Sequence, residues 1–115
     1  MLPEEVEVYL YTEITDMRKS INTLAILVQE VMGMKPNDGS LYLFRSRCAK
    51  KMKALYYSNA SYTLWYRRLE QGKFVFPRNA KGSIALTKEH FEWLLNSNKY
   101  TQFHLKKSDQ YCDFF

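Results

Sequence analysis

The sequence has few of the residues that would mark a metal-binding, secreted or membrane protein. Its two cysteines, Cys48 and Cys112, are 64 residues apart and form no metal-binding spacing. Because two cysteines are a weak basis for a disulfide framework, a reducing compartment is the simplest interpretation. Glu4, Glu5 and Glu7 stand where a secretory leader would carry basic residues, and no apolar run approaches the roughly 18 residues that span a bilayer. We therefore expect a cytoplasmic protein without a membrane segment.

The sequence also lacks an assembled catalytic motif. His90 and His104 are fourteen residues apart and have no partner motif. Metal-dependent strand transfer needs two or three converging carboxylates. Asp16, Asp38 and Glu70 instead fall near turns or caps, where carboxylates usually serve structure. We therefore predict that the protein is not an enzyme and needs no metal or cofactor, and a nuclease or RNA-processing activity is the least favoured hypothesis.

Positive charge is concentrated in the middle of the chain. The net charge of +5 divides into −4 for residues 1–34, +9 for residues 35–81 and zero for residues 82–115. A concentrated basic surface gains free energy by displacing counterions from a polyanion, which favours a nucleic-acid partner. A solvated basic surface without a partner is the alternative interpretation.

The hydrophobic pattern predicts one α+β domain over residues 1–98, followed by a C-terminal tail at 99–115. The predicted strands are residues 6–11, 41–46, 51–58, 62–69 and 73–76, with a further short strand at 83–86. Glu70-Gln71-Gly72 should join the strands at 62–69 and 73–76 as a hairpin. We expect a mainly antiparallel sheet of five or six short strands, with two helices on one of its faces.

Two helices are predicted from periodicity and capping. The first begins at a cap on Thr15 or Asp16 and ends at Gly33. Its apolar stripe is Met17, Ile21, Leu24, Val28 and Val31. The second helix is capped by Thr87, and its buried side includes Phe91, Leu94 and Leu95.

Several blocks of the sequence together resemble a known family. They are Thr15–Ser20 (TDMRKS), Leu41–Arg47 (LYLFRSR), Lys53–Tyr57 (KALYY) and Leu64–Phe74 (LWYRRLEQGKF). In order and spacing they resemble the TnpB accessory protein, the second open reading frame product, of insertion-sequence-66-type bacterial transposable elements. The resemblance covers roughly residues 6–96. It implies a role in DNA transposition beside a separate, larger transposase, which would be a protein partner.

Arg18 and Lys19 are an unusual pair if they lie in the first turn of a helix. The helix dipole disfavours cations there, at a cost of a few tenths of a kcal/mol or more. A DNA phosphate at the helix start would offset this cost. The alternative is that Asp16, or another carboxylate of the acidic N-terminal segment, pairs with Arg18.

The basic middle segment supplies most of the candidate contacts to nucleic acid. The candidates are Arg18, Lys19, Arg45, Arg47, Lys50, Lys51, Lys53, Arg67, Arg68 and Lys73. Strand alternation places Lys51 and Lys53 on one face, and it does the same for Arg45 and Arg47. Most of the interleaved aromatic residues are expected to form the core. Tyr57 and Tyr62, near a turn, are the candidates for stacking on unpaired bases.

Two functions fit these observations. The first is an accessory DNA-binding protein of transposition, which would contact mainly phosphates and could associate with the nucleoid. The second is an adaptor that docks on the transposase without touching DNA and is anchored by exposed aromatic residues such as Phe114-Phe115. The sequence leaves open whether the DNA is single- or double-stranded and whether the chain forms a homo-oligomer.

Overall fold

The computed structural model describes residues 5–77 and 82–96. Along the chain, the elements are β1 (Val8–Ile14), α1 (Ile21–Glu30), β2 (Leu41–Arg45), β3 (Lys51–Ser58), β4 (Ser61–Arg68), β5 (Ser83–Leu86) and α2 (Lys88–Asn96). The predicted tail at 99–115, with His104, Cys112 and Phe114-Phe115, lies outside the described residues. Neither α1 nor α2 is long and apolar enough to cross a membrane.

The five strands form one sheet in the order β4-β3-β2-β1-β5. β1 and β2 are parallel, and α1 connects them. The other three neighbouring pairs are antiparallel. The predicted α+β class with a mainly antiparallel sheet is therefore confirmed.

The residues of β2 are buried on both faces of the sheet. Leu41–Phe44 are each 0% exposed. Leu41 and Leu43 belong to the cluster that packs under α2, whereas Tyr42 and Phe44 belong to the cluster that packs under α1. The two helices therefore cover opposite faces, and the prediction of helices on one face is wrong. A single helical layer would leave one of these two rows of large apolar side chains in water.

The first helix begins later than the sequence pattern predicts. α1 starts at Ile21, with Ser20 as its cap residue, so the predicted cap at Thr15 or Asp16 is wrong. Thr15 is instead buried, and its N–H donates to the carbonyl of Arg45 at 2.9 Å. This bond holds the chain beside the end of β2, and α1 can begin only after the chain has turned away from the sheet.

The remaining helix signals are mostly confirmed. Leu24 and Val28 are fully buried, whereas Val31 is 60% exposed because α1 has ended before it. Gly33 has a φ of +68°, the left-handed conformation that ends helices. Thr87 caps α2, since its Oγ1 accepts a hydrogen bond from the N–H of His90 at 3.0 Å.

The predicted hairpin between residues 62–69 and 73–76 does not form. β4 pairs with β3 instead, and the N–H of Leu69 extends this pairing by donating to the carbonyl of Lys50 at 2.8 Å. The segment that contains Phe74 and Phe76 crosses the α2 side of the sheet, where both rings are buried. Burial of the two rings therefore decides the path of this segment.

The turn between β3 and β4 consists of Asn59 and Ala60. Ser58 and Ser61 face each other at the end of the ladder, so two residues make the connection. Asn59 has a φ of +51° and Ala60 a φ of +58°. Two consecutive positive values are typical of the type I′ turn, which suits the twist of a hairpin but is unfavourable for alanine.

Replacing Ala60 with glycine should stabilise the protein by about 0.5–1 kcal/mol, because glycine adopts a positive φ without steric cost. Urea unfolding of Ala60→Gly measures this change. Ala85→Gly is the matched control, since Ala85 is exposed in β5 and has no positive φ. We expect it to destabilise the protein by about 0.5–1 kcal/mol. Equal effects of the two changes would contradict the assignment of strain to the turn.

Candidate nucleic-acid interface

Strand alternation sorts the basic side chains onto the two faces of the sheet. Met52 and Ala54 of β3 belong to the cluster under α2, and Leu55 belongs to the cluster under α1. Lys51 and Lys53 alternate with Met52 and Ala54, so they share one face, as the sequence predicts, and this face is the α1 side.

Three cations meet at one corner of the α1 side. Lys51 lies directly opposite Arg68 on the neighbouring strand, and Lys53 is the next residue on the same face. The Nζ atom of Lys53 donates to the carbonyl oxygen of Lys19 at 2.7 Å, which connects this corner to the residues that precede α1. We call Lys51, Lys53 and Arg68 the α1-side patch. Cations directly opposite each other in a sheet repel.

Lys53 is a half-buried cation of the α1-side patch. Its ammonium group lies 5.6 Å from the ring centre of Tyr66, which is its direct neighbour on β4. Burial lowers the pKa of Lys53, and the negative charge of Asp16 partly opposes this shift. The hydrogen bond, the ring and the burial fix its position, so Lys53 contributes a held charge rather than a mobile one.

Arg18 pairs with Asp16, which is the alternative that the sequence left open. Its guanidinium binds the carboxylate through two nitrogens, with Nη2 at 2.6 Å from Oδ2 and Nε at 3.0 Å from Oδ1. The backbone N–H of Arg18 also donates to Oδ1 at 2.9 Å. Both residues precede α1, so the predicted placement of Arg18 and Lys19 in the first helical turn is wrong.

The hydrogen bonds from Arg18 determine the ionisation of Asp16. The side-chain bond is the largest cause and the backbone bond the next, and together they lower the pKa of Asp16 from 3.8 to about 2. Asp16 therefore stays negatively charged at the edge of the α1-side patch. Its charge neutralises Arg18, which is one of the predicted contacts to nucleic acid.

Arg68 has an exchangeable partner. Its Nη2 lies 3.0 Å from Oε1 of Glu70, and both side chains are exposed. Exposed ion pairs contribute about 0–1 kcal/mol, so a phosphate could replace this carboxylate at little cost.

Two predicted contacts lie on the opposite, α2 side of the sheet. The guanidinium of Arg45 stacks over the ring of Phe76, 5.0 Å from its centre. Arg67 is exposed and borders an apolar groove of about 290 Å³, whose walls include Trp65 and Phe91. These two arginines therefore do not belong with the α1-side patch.

Three further predicted contacts are not on a strand face. Arg47 is exposed in the loop after β2, so the expectation that it shares a strand face with Arg45 is wrong. Lys73 is half-buried after β4. Lys50 is only 8% exposed, because it lies where the chain enters β3 and is bonded to the end of β4. Lys50 is therefore unsuited to contact a phosphate, contrary to the general exposure of lysine.

The aromatic candidates are paired with each other. Tyr57 and Tyr62 make an edge-to-face contact with ring centres 4.8 Å apart, and both are half-buried. Tyr66, which sequence reasoning missed, is 51% exposed and lies beside Lys53. Its signal was available, because it alternates with Trp65 and so faces the same side as Arg68.

The described residues contain no group of three or more His, Cys, Asp or Glu side chains that could hold a metal ion. What the α1-side patch offers is a set of ammonium and guanidinium donors around an exposed aromatic ring. Such a surface can hold an anion, and in particular a phosphate with a base beside it.

Comparison with known proteins gives a family match over most of the chain. The family described as "IS66 Orf2 like protein" matches residues 6–104. The chain is 37% identical over 98 residues to uncharacterized protein y4hO of Sinorhizobium fredii, covering 84% of this chain and 85% of that protein. It is 26% identical over 97 residues to uncharacterized protein y4jC of the same organism, covering 84% of this chain and 83% of that one. No solved structure matches the chain.

Asp16 should make the stability of the folded protein depend on pH in the acid range. Its folded pKa of about 2 lies below its ordinary value of 3.8, so its stabilisation is complete above pH 4 and is lost as the pH falls through 2. Asp16→Asn should therefore be less stable than the native protein at neutral pH, with a difference that shrinks between pH 4 and pH 2. Urea unfolding across this range measures the difference.

Arg18→Gln is the matched variant for this experiment, because it removes the partner and leaves the carboxylate. Arg18→Gln should therefore lose less stability than the native protein when the pH falls from 4 to 2. A gap between native protein and Asp16→Asn that stays constant with pH would contradict the assignment.

Proposed function

The chain belongs to the IS66 Orf2-like family, and from that premise we propose that it is an accessory protein of transposition that holds DNA on the α1-side patch. The patch would bind the phosphate backbone, and a separate transposase would perform the chemistry of strand transfer. Phosphate contacts position a protein on DNA without reading its sequence, so base readout would be modest.

The observation that carries this proposal is the direct opposition of Lys51 and Arg68, with Lys53 beside them. Like charges at neighbouring positions of a sheet are unfavourable without an anion between them. A phosphate at this corner would relieve the repulsion and would replace Glu70 as the partner of Arg68. A single phosphate could therefore contact Lys51 and Arg68 together, whereas Glu70 is paired with Arg68.

Tyr66 supports contact with unpaired bases as well as with phosphates. Half of its surface is exposed, and Lys53 lies next to its ring. Stacking of a base on an aromatic ring contributes about 1–3 kcal/mol and tolerates any sequence. The α1-side patch thus favours single-stranded or distorted DNA, such as a processed element end, over regular duplex.

The experiment compares neighbouring arginines on opposite faces of β4. Arg68→Gln should weaken DNA binding, because it removes a cation of the α1-side patch. Arg67→Gln removes the same charge from the α2 side, so it should leave binding close to native. Fluorescence anisotropy with single-stranded and duplex oligonucleotides at several salt concentrations measures both affinity and salt dependence.

Salt dependence identifies the contact as a phosphate contact. The slope of log K against log salt is negative, and loss of one phosphate contact reduces its magnitude by about 0.7–0.9. Arg68→Gln and Lys51→Gln should each show such a decrease, and Arg67→Gln should keep the native slope. Equal losses in Arg67→Gln and Arg68→Gln would mean that binding reflects net charge alone and would sink the proposed site.

An adaptor that docks on the transposase is the competing proposal. It is favoured by the apolar groove beside Arg67 and by Trp93 of α2, which is 50% exposed. Exposed apolar surface of this kind is typical of protein interfaces. Native protein that binds neither single-stranded nor duplex DNA at low salt would leave this as the remaining function.

A further inference from the structure

β4 is an edge strand whose outer side pairs with no other strand of the described residues. It lies at the end of the sheet order and pairs only with β3. It is eight residues long, whereas β5 at the other edge has four. It contains no proline, and its pairing with β3 has no register shift. Natural edge strands are usually shortened, kinked or charged in their middle to prevent further pairing, and β4 has none of these features.

The hydrogen-bond pattern shows which residues of β4 present free backbone groups. The bond from the N–H of Leu69 to the carbonyl of Lys50 makes this pair a bonded pair of the antiparallel ladder. Bonded and non-bonded pairs alternate along such a ladder. The odd-numbered residues of β4 therefore bond to β3, and the backbone groups of Tyr62, Leu64, Tyr66 and Arg68 point outward.

The outer side of β4 is complementary to itself. Its charges, Arg67 and Arg68, are at one end, and the residues before them are uncharged. Two copies running antiparallel can bond through the outward groups when Tyr62 lies opposite Arg68 and Leu64 opposite Tyr66. In this register each Arg67 lies opposite a threonine, Thr63, and no arginine faces another.

We propose that β4 pairs with β4 of a second copy, which joins the two five-stranded sheets into one sheet of ten strands. The twofold axis is perpendicular to the sheet, so α1 of both copies lies on the same side. The pairing itself does not require DNA.

The geometry of the pair has a consequence that rests on the proposed function. Arg68 of one copy lies opposite Tyr62 of the other, so the two Arg68 residues are six positions apart along the joined strands, or roughly 20 Å. Both α1-side patches then face one way and can hold one nucleic-acid molecule at two points.

Sedimentation analysis of the native chain without DNA tests the pairing. We expect a concentration-dependent monomer–dimer equilibrium. Tyr66→Pro removes an outward N–H and should weaken the dimer at least tenfold, while Tyr66→Val removes the same ring but keeps the N–H and should dimerise like the native chain. Circular dichroism of both variants checks that the fold is kept.

The register is tested by charge at Thr63, which is exposed. Thr63→Glu places a carboxylate opposite Arg67 of the second copy and should tighten the dimer about two- to tenfold, since the symmetric pair contains the contact twice. Thr63→Lys should loosen it by a similar factor. These two variants decide the question even if Tyr66→Pro fails to fold.

A native chain that stays monomeric at every soluble concentration would overturn the proposal. So would a dimer that neither Tyr66→Pro nor the two Thr63 variants affect, because it would use another surface. Since no DNA is present, a failure to dimerise is distinct from a failure to bind DNA.

Discussion

The burial of β2 on both faces is the constraint on which the rest of the fold depends. Leu41–Phe44 alternate between two clusters, and none of the four has any exposed surface. Two helices are therefore needed, one on each side. The connection through α1 makes β1 and β2 parallel, and the hairpins then place β3 and β4 outward from the centre. Because β3 pairs with β2 and β4 with β3, the faces of β2 also decide which face each cation of β3 and β4 occupies.

The sequence predicts those parts of the structure that depend on local alternation. Lys51 and Lys53 lie on the face that the period of two assigns to them, and Thr87 caps α2 as its position indicates. The predicted hairpin at 73–76 does not form, and the rings of Phe74 and Phe76 are instead buried against the α2 side of the sheet. Burial of this kind depends on distant parts of the chain, and no local pattern records it.

The candidate site shows the same division between local and tertiary information. Composition correctly locates the basic residues in the middle of the chain, but it does not reveal how each charge is used. Arg18 is neutralised by Asp16, Arg45 covers Phe76, and Lys50 is buried. The run Leu41–Phe44 did contain a signal that was available, since four consecutive large apolar residues are typical of a strand that is covered on both sides.

The short connection at Asn59-Ala60 decides which arginine belongs to which side of the protein. Because successive residues of a strand face opposite ways, a one-residue slip of β4 along β3 would exchange Arg67 and Arg68 across the sheet. It would also make the odd-numbered residues of β4, in place of the even-numbered ones, present their backbone groups outward. Such a slip would also turn Leu64 and Trp65 away from the clusters in which they are packed, so a longer connection has to place its extra residue in the turn.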